Sequence, residues 1–386
     1  MSISYWLDQS ASSKKNYDVV VVGGGISGLS SAYWLHKKDP QLKIAIIDKG
    51  HLSSGATGRN AGFITCGSVE HFNRLNERWG AQLAKEIWQF SEDNLDLLKS
   101  ELNLGDKEDF QTKGSFSLAS TENEFLELKK SAQLMEDFNI QVESLDEKQI
   151  QSRLNADGFV GGIKYLSDAS IHPRKLCETL LASMPNVDFF PNTELFKISS
   201  SGDQRILFTN QHEFHCQFVV LATNGYLPLI NPYFEDLVSA TRGQILITEK
   251  LPLFLEGPCY ANFVLDYFRQ LPSGELIIGG FRQLEKDTEV GYSDHTSKVI
   301  QNALEKFINT HLPAAQNKSI THRWSGVMGF SFDGQPFIGV LPSDPQIFFL
   351  GGFTAHGLGL AFHTGKCLSQ LIFGEEFPEF ISAKRK

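Results

Sequence analysis

The residues best placed to do chemistry in this sequence are a run of glycines and one acid. Gly23-Gly24-Gly25-Ile26-Ser27-Gly28 satisfies G-x-G-x-x-G directly after the apolar run Val19 to Val22. In such a loop Gly23 permits a tight turn, Gly25 lets the backbone approach a pyrophosphate, and Gly28 lets a helix pack close to the strand. A helix starting at Ile26 presents unpaired N–H groups and the positive end of its dipole to phosphate. Asp48 follows a second apolar run, Ile44 to Ile47, where a carboxylate accepts both hydroxyls of an adenosine ribose. Glycine loops also make ordinary turns. It is the order of strand, glycines, helix, strand and acid that points to a bound dinucleotide.

The elements that must position these residues are legible around them. Val19 to Val22 reads as a buried parallel strand, and Ile26 to Leu35 has helical spacing with Leu29, Ala32, Tyr33 and Leu35 as candidate core. With Ile44 to Ile47 this is a βαβ unit of mononucleotide-binding size. From about Ala81 to Leu154 the chain turns charged and amphipathic. Glu122 to Phe138 places Phe125, Leu126, Leu128, Ala132 and Leu134 at helical spacing, and Gly114 to Leu118 reads as a strand. Val219 to Ala222 is another buried strand, closed by the turn Thr223-Asn224-Gly225. Gln244 to Thr248 and Glu275 to Gly280 read as strands of a second sheet. Ile347 to Leu350 runs into Gly351-Gly352, and Gly357 to Phe373 looks helical. There is no internal repeat.

Composition bounds the function. A chain of 386 residues, 41% hydrophobic and 21% charged, suits two folded domains. A net charge of -10 argues against a nucleic-acid partner and against an anionic membrane surface. Met1 to Asn16 has no apolar stretch long enough for a signal peptide, and the run from Val19 is broken by glycines, so no stable membrane insertion is expected. Cys66, Cys177, Cys216, Cys259 and Cys367 form no C-x-x-C pair and fit reduced thiols of a cytoplasmic protein.

The segment after Asp48 separates one dinucleotide from another. Ser53-Ser54-Gly55-Ala56-Thr57-Gly58-Arg59-Asn60-Ala61-Gly62-Phe63 is rich in small residues, as a backbone lying against a long flat cofactor must be. Here the sequence resembles the D-amino acid oxidase family of FAD enzymes, in its glycine oxidase and sarcosine oxidase branch. The phrase GATGRNAG is similar to that of γ-glutamylputrescine oxidoreductases. Leu221-Ala222-Thr223-Asn224-Gly225-Tyr226 is similar to the family's strand end beside FAD. Trp324-Ser325-Gly326, Asp333 to Gly339 and Gly352-Phe353-Thr354-Ala355-His356-Gly357 follow its closing pattern. The resemblance covers both ends and one central strand well, and the charged stretch from Ala81 to Leu154 only in character. It implies non-covalent FAD, because the cysteine to which sarcosine oxidases attach flavin aligns with Gly326. The FAD-contacting positions it implies are Gly23, Gly25, Ile26, Ser27, Gly28, Asp48, Lys49, Gly55, Ala56, Thr57, Arg59, Asn60, Ala61, Gly62, Leu195, Ala222, Thr223, Asn224, Gly326, Gly352, Phe353, His356, Gly357, Leu358 and Gly359. A helix starting near Gly357 would stabilise negative charge on the pyrimidine side of the ring.

For catalysis the resemblance points to His356 near flavin or substrate, against a histidine that merely caps the helix. It points to Tyr267 as a substrate contact, against an ordinary sheet tyrosine. Phe63, Arg282, Trp324 and Met328 are further pocket candidates. Met328 stands where glycine oxidases carry the arginine that grips the substrate carboxylate, leaving Arg242, Arg269, Arg282 or Arg323 to substitute. Gly359 stands where sarcosine oxidases have their oxygen-activating lysine, so oxygen and another electron acceptor both stay open. His212, His215 and Cys216 lack a convincing ligand set, so no metal is expected. Cys66 reads as a packed residue.

The expected fold is α/β: a discontinuous Rossmann-like FAD-binding domain (1–90, 161–237, 323–386) with an α+β, antiparallel-sheet substrate domain (91–160, 238–322). The expected activity is hydride transfer from a small amine or amino acid to flavin N5, giving an imine that water hydrolyses. The alternatives are an amino-acid dehydrogenase with a non-oxygen acceptor and a non-catalytic flavin-binding protein. A tRNA-modifying oxidoreductase is disfavoured by the acidic charge.

Overall fold

A computed structural model describes residues 5, 14–105, 109–263 and 266–385. The leading stretch, read above for targeting signals, lies mostly outside the described residues. The chain divides into two compact units, one of residues 1–58, 173–241 and 327–386, the other of 59–172 and 242–326.

The first unit is built on a six-stranded sheet ordered Val187–Phe190, Ile44–Ile47, Val19–Val22, Phe218–Leu221, Asp344–Gly351, Phe337–Leu341. Neighbours are parallel except the last pair. Strands covered on both faces need apolar side chains at every position, which is why Val19–Val22 and Ile44–Ile47 are buried throughout. Helix Ile26–Lys38 buries Leu29, Ala32 and Leu35 as expected, and adds Trp34, whose Nε1 donates to Phe362 O at 2.9 Å; Tyr33 stays half-exposed. Helix Gly357–Ile372 crosses it closely, because Gly365 has no Cβ to strike Ser30. A four-stranded sheet of Lys14–Asn16, Glu213–Cys216, Gln204–Thr209 and Leu195–Ser201 completes the unit. There His215 Nε2 meets Glu213 at 2.5 Å and His212 packs edge-on against Phe190 and Phe214.

The second unit holds an eight-stranded sheet with helices Val69–Trp79, Ala81–Leu102, Glu122–Asp137, Glu147–Leu154 and Lys298–His311. The expected antiparallel sheet is corrected at one place: Cys259–Ala261 runs parallel to Ser115–Ala119. The strand expected at Gln244 to Thr248 extends over Val238–Lys250, and both it and Ile320–Ser331 carry the chain across a unit boundary. Residues 59–90 and 161–172, both grouped above with the FAD domain, fold in the second unit, where Phe63–Ile64 pairs with Ala169–Ile171. Helix Glu122–Asp137 is closed by a Thr121–Glu124 capping box. It buries Phe125, Leu128, Ala132 and Met135, whereas Leu126 is exposed and Leu134 only half-buried. Leu126 lies about 100° round the helix from Phe125, off the buried stripe.

A Cβ on Gly365 would lie 2.7 Å from Ser30 Cβ and 2.9 Å from the Ser30 carbonyl carbon. Gly365→Val is therefore expected to cost roughly 1–3 kcal/mol of stability, read as a lowered midpoint in thermal unfolding. An unchanged midpoint would mean the two helices separate freely.

Candidate functional site

The glycine loop is set by two close approaches and one hydrogen bond within the first unit. Gly23 has φ +120°, and a Cβ there would lie 2.7 Å from Ala222 O. A Cβ on Gly28 would lie 1.9 Å from Gly23 O, so only glycine lets the helix begin directly over the strand end. Gly25 is the helix N-cap, and with no side chain it caps nothing. Thr57 Oγ1 instead accepts from Ile26 N–H at 3.1 Å, so Thr57 braces the helix start. The N–H groups of Ser27 and Gly28 have no partner among the described residues, and the first turn holds no acid. Unpaired donors at the positive end of a helix, with no carboxylate to compete, suit a phosphate.

Asp48 leaves the second strand with Oδ2 accepting from Gly24 N–H and Oδ1 from Gly50 N–H, both at 2.7 Å. These bonds fix the carboxylate and leave each oxygen a lone pair for a hydroxyl. Ser53 N–H donates to Gly24 O at 3.0 Å, tying the segment after Asp48 back to the loop. Lys49 Nζ sits 4.0 Å over the Tyr226 ring, and the Leu195 side chain packs in the core. Gly55 has open space where a Cβ would point, as has Ala56 no burial beyond the intermediate.

At the third phrase, Asn224 has φ +47° and its Oδ1 accepts from Gly352 N–H at 3.0 Å. The buried Thr223 hydroxyl has no partner among the described residues. Met328 is half-buried, and a Cβ on Gly225 would lie 2.8 Å from its carbonyl oxygen. Gly352, Thr354 and Ala355 all have positive φ, unusual for the last two, so the turn after Asp344–Gly351 is held against local preference. Thr354 N–H donates to Gly329 O at 2.9 Å and anchors it. Phe353 and Leu358 are buried. His356 occupies the N-cap of helix Gly357–Ile372, yet its side chain makes no capping bond. Gly357 has no left-handed backbone, and a Cβ there would meet only ordinary contacts, with Phe353 atoms at 3.8 Å and beyond. Protein packing thus explains Gly23 and Gly28 but not Gly55 or Gly357. The orphan Thr223 hydroxyl, the unpaired helix donors and these unfilled glycines fit a bound dinucleotide.

In the second unit, Arg59 Nη1 donates to Ser325 O at 2.8 Å and Trp324 Nε1 to Arg59 O at 2.9 Å. A Cβ on Gly326 would lie 3.0 Å from Arg59 Cβ. Asn60 Oδ1 accepts from Gly62 N–H at 2.7 Å, shaping the turn in which Gly62 has φ +81°. Ala61, Phe63, Tyr267 and Trp324 belong to one apolar cluster, with Phe63 edge-on to both Tyr260 and Tyr267. The Tyr267 ring lies over Gly279, where a Cβ would come 2.5 Å from its hydroxyl. Burial raises the Tyr267 hydroxyl above its usual range, Asp266 adds to this, and Arg282 opposes it.

The four arginines considered as carboxylate grips have different surroundings. Arg242 is buried in an ion pair with Glu289 at 2.8 Å, and Arg323 pairs with Glu305 at 2.6 Å. Arg269 donates to Ala61 O at 2.5 Å and Ile171 O at 2.8 Å, and burial lowers its pKa to about 10. Arg282 is half-buried, and its field reaches both Tyr267 and Glu289. The role of Arg269, fixing the backbone of the 61–63 segment through carbonyls, left no sequence signal beyond an arginine between apolar residues.

The family model described as FAD dependent oxidoreductase matches residues 18–371. A probable oxidoreductase OrdL of Rhizobium meliloti is 26% identical, aligned over 93% of this chain and 83% of its own. The γ-glutamylputrescine oxidoreductase of Escherichia coli is 22% identical over 95% and 86%. The crystal structure of glycine oxidase from Geobacillus kaustophilus superposes with a TM-score of 0.80 at 22% identity, covering 94% of this chain and 96% of that one.

Gly28→Ala tests the close approach. Overpacking of roughly 1–3 kcal/mol at the loop is expected to weaken dinucleotide retention about 10-fold or more, measured as the flavin-to-protein ratio after dialysis. A variant that keeps the parental ratio would show that the loop relaxes without loss.

Proposed function

This chain belongs to the FAD-dependent oxidoreductase family, and from that premise we propose that it oxidises a C–N bond of a small amine or amino acid to an imine, which water hydrolyses to a carbonyl compound and an amine. FAD, when bound, supplies the two-electron acceptor for the hydrogen leaving carbon. The observation that carries the reading is the pair of glycine-lined helix starts at Ile26 and Gly357, neither of them capped by the side chain of its own N-cap residue.

The chain's own residues divide the work. Gly23, Gly25, Ser27 and Gly28 offer backbone to the pyrophosphate, and Asp48 takes the ribose hydroxyls. Gly55 to Gly62, Ala222 to Asn224, Gly326 and Gly352 to Gly359 are the further positions that would hold FAD, without a covalent link. The helix starting at Gly357 would offer its positive end to the charge that grows as the ring is reduced. His356, which does not cap that helix, is the candidate polar contact for substrate or flavin. Phe63, Tyr267 and Trp324 supply an apolar wall that favours the neutral amine, the form that can give up hydride. Met328 replaces the carboxylate-gripping arginine of glycine oxidases, which favours an amine over a simple α-amino acid. Arg282, whose field reaches Tyr267, is the candidate cation for a more distant anionic group. Oxygen or another oxidant then takes up the electrons.

Anaerobic mixing with polyamines, N-methyl amines and amino acids tests the reading: at least one is expected to bleach the flavin, and none doing so would leave a non-catalytic flavin protein. Re-admitted oxygen restores colour in an oxidase and fails to in a dehydrogenase. His356→Ala is expected to slow flavin reduction at least 10-fold while FAD stays bound; unchanged reduction would return His356 to the helix start alone. Arg282→Gln is expected to raise KM for carboxylate-bearing substrates and leave it unchanged for simple amines. An equal effect on both would remove Arg282 from recognition.

A further inference from the structure

The second unit contains a group of buried acids that the proposed reaction does not use. Asp168 lies just before the strand Ala169–Ile171 with 5% of its surface exposed. Its Oδ2 accepts from Ser115 Oγ at 2.6 Å, and no cation pairs with it among the described residues. The ionisable groups that face it come from every neighbouring element: Glu92 on helix Ala81–Leu102, Cys66 after strand Phe63–Ile64, Tyr165 on Gly161–Tyr165 and Tyr260 on Cys259–Ala261. Each of them is neutral or an acid. Glu92 accepts from the Tyr165 hydroxyl and has Asp93 and Asp96 beside it.

These groups surround a cavity of about 10 Å³ lined by Cys66, Trp88, Ser91, Glu92, Tyr165 and Asp168. That is close to the smallest space that admits one water. Trp88 is almost wholly buried, and its indole N–H, close to the Tyr165 hydroxyl, finds no acceptor of full hydrogen-bond geometry among the described residues. A buried donor without an acceptor is costly, and so is a buried carboxylate without a cation. One proton and one water relieve both. A protonated Asp168 has no charge to compensate, and a water in the cavity accepts from Trp88 and donates to a carboxyl oxygen.

We propose that this cavity is a built site for one water and one proton, with Asp168 held as a neutral acid and the water bridging Trp88 Nε1 to the carboxyl groups of Asp168 and Glu92. The site is a local property of the second unit and is independent of substrate turnover. Burial pushes the Asp168 carboxyl well above its usual range; Ser115 opposes the shift and Glu92 adds to it. Burial also raises Glu92, with the Tyr165 hydrogen bond opposing. For an acid raised in the folded state, the stabilisation is complete at low pH. It is lost as pH climbs from the ordinary carboxylate range through the raised value.

Infrared spectroscopy of the full-length protein reads the proton directly. Near pH 7, where a free carboxyl is ionised, a carboxylic-acid C=O band is expected and should vanish in Asp168→Asn; a folded parent without that band overturns the proposal. On going to about pH 9 the parent is expected to lose more thermal stability than Asp168→Asn, and equal losses also overturn it. Should Asp168→Asn not fold, Glu92→Gln carries the test. There the band is expected to persist at a shifted frequency, and an unmoved band overturns the pairing. A high-resolution crystal structure must show one water within hydrogen-bond distance of Trp88 Nε1 and a carboxyl oxygen, and an empty cavity overturns the water.

Discussion

The first unit depends on one contact between main-chain atoms, the passage of Gly28 over the carbonyl of Gly23. No other residue type lets helix Ile26–Lys38 start so near the end of strand Val19–Val22. Once it does, the neighbouring geometry is constrained. Gly23 must turn with positive φ beneath Ala222, Gly24 N–H comes within reach of Asp48, and Ile26 N–H comes within reach of Thr57. A helix displaced outward would break these contacts together and carry its unpaired donors away from Asp48.

Much of this was legible because it is local. Strand, loop, helix and acid follow one another within thirty residues, and their signals are periodicity and glycine spacing. The closing turn was legible for the same reason, although the positive φ of Thr354 and Ala355 was not, since neither residue advertises it. Contacts between residues distant in sequence were harder to read. Nothing in residues 59–90 says that Phe63–Ile64 will pair with Ala169–Ile171 and draw the segment into the second unit. In helix Glu122–Asp137 the periodicity picked out Phe125, Leu128 and Ala132 but took Leu126 and Leu134 for buried residues and missed Met135, because only the surroundings decide among neighbouring apolar side chains.

Charge shows the same division. Asp48 stands at a motif position and could be named from it. The four arginines could not be ranked, because an arginine in an ion pair and one on carbonyls read alike in sequence. Glu289 claims Arg242, Glu305 claims Arg323 and two backbone carbonyls claim Arg269, surroundings that no motif announces. Asp168 was silent for the opposite reason. A carboxyl that folds into an acidic, cation-free interior gives no sign of it in the one-letter code, and only the assembled surroundings of Ser115, Glu92 and Trp88 expose the cost.

The order of strands in the first unit also bears on how the chain is made. Val19–Val22 leaves the ribosome about two hundred residues before one of its partners, Phe218–Leu221. The strand beside that one, Asp344–Gly351, comes more than a hundred residues later still. Such pairings give a high contact order, and loop closure of this length slows folding. Until these partners emerge the valine-rich strand lacks them, in a state that invites aggregation. Helix Ile26–Lys38 and strand Ile44–Ile47, close to it in sequence, are able to shelter it meanwhile. The tight glycine loop thus serves the nascent chain before any ligand is bound.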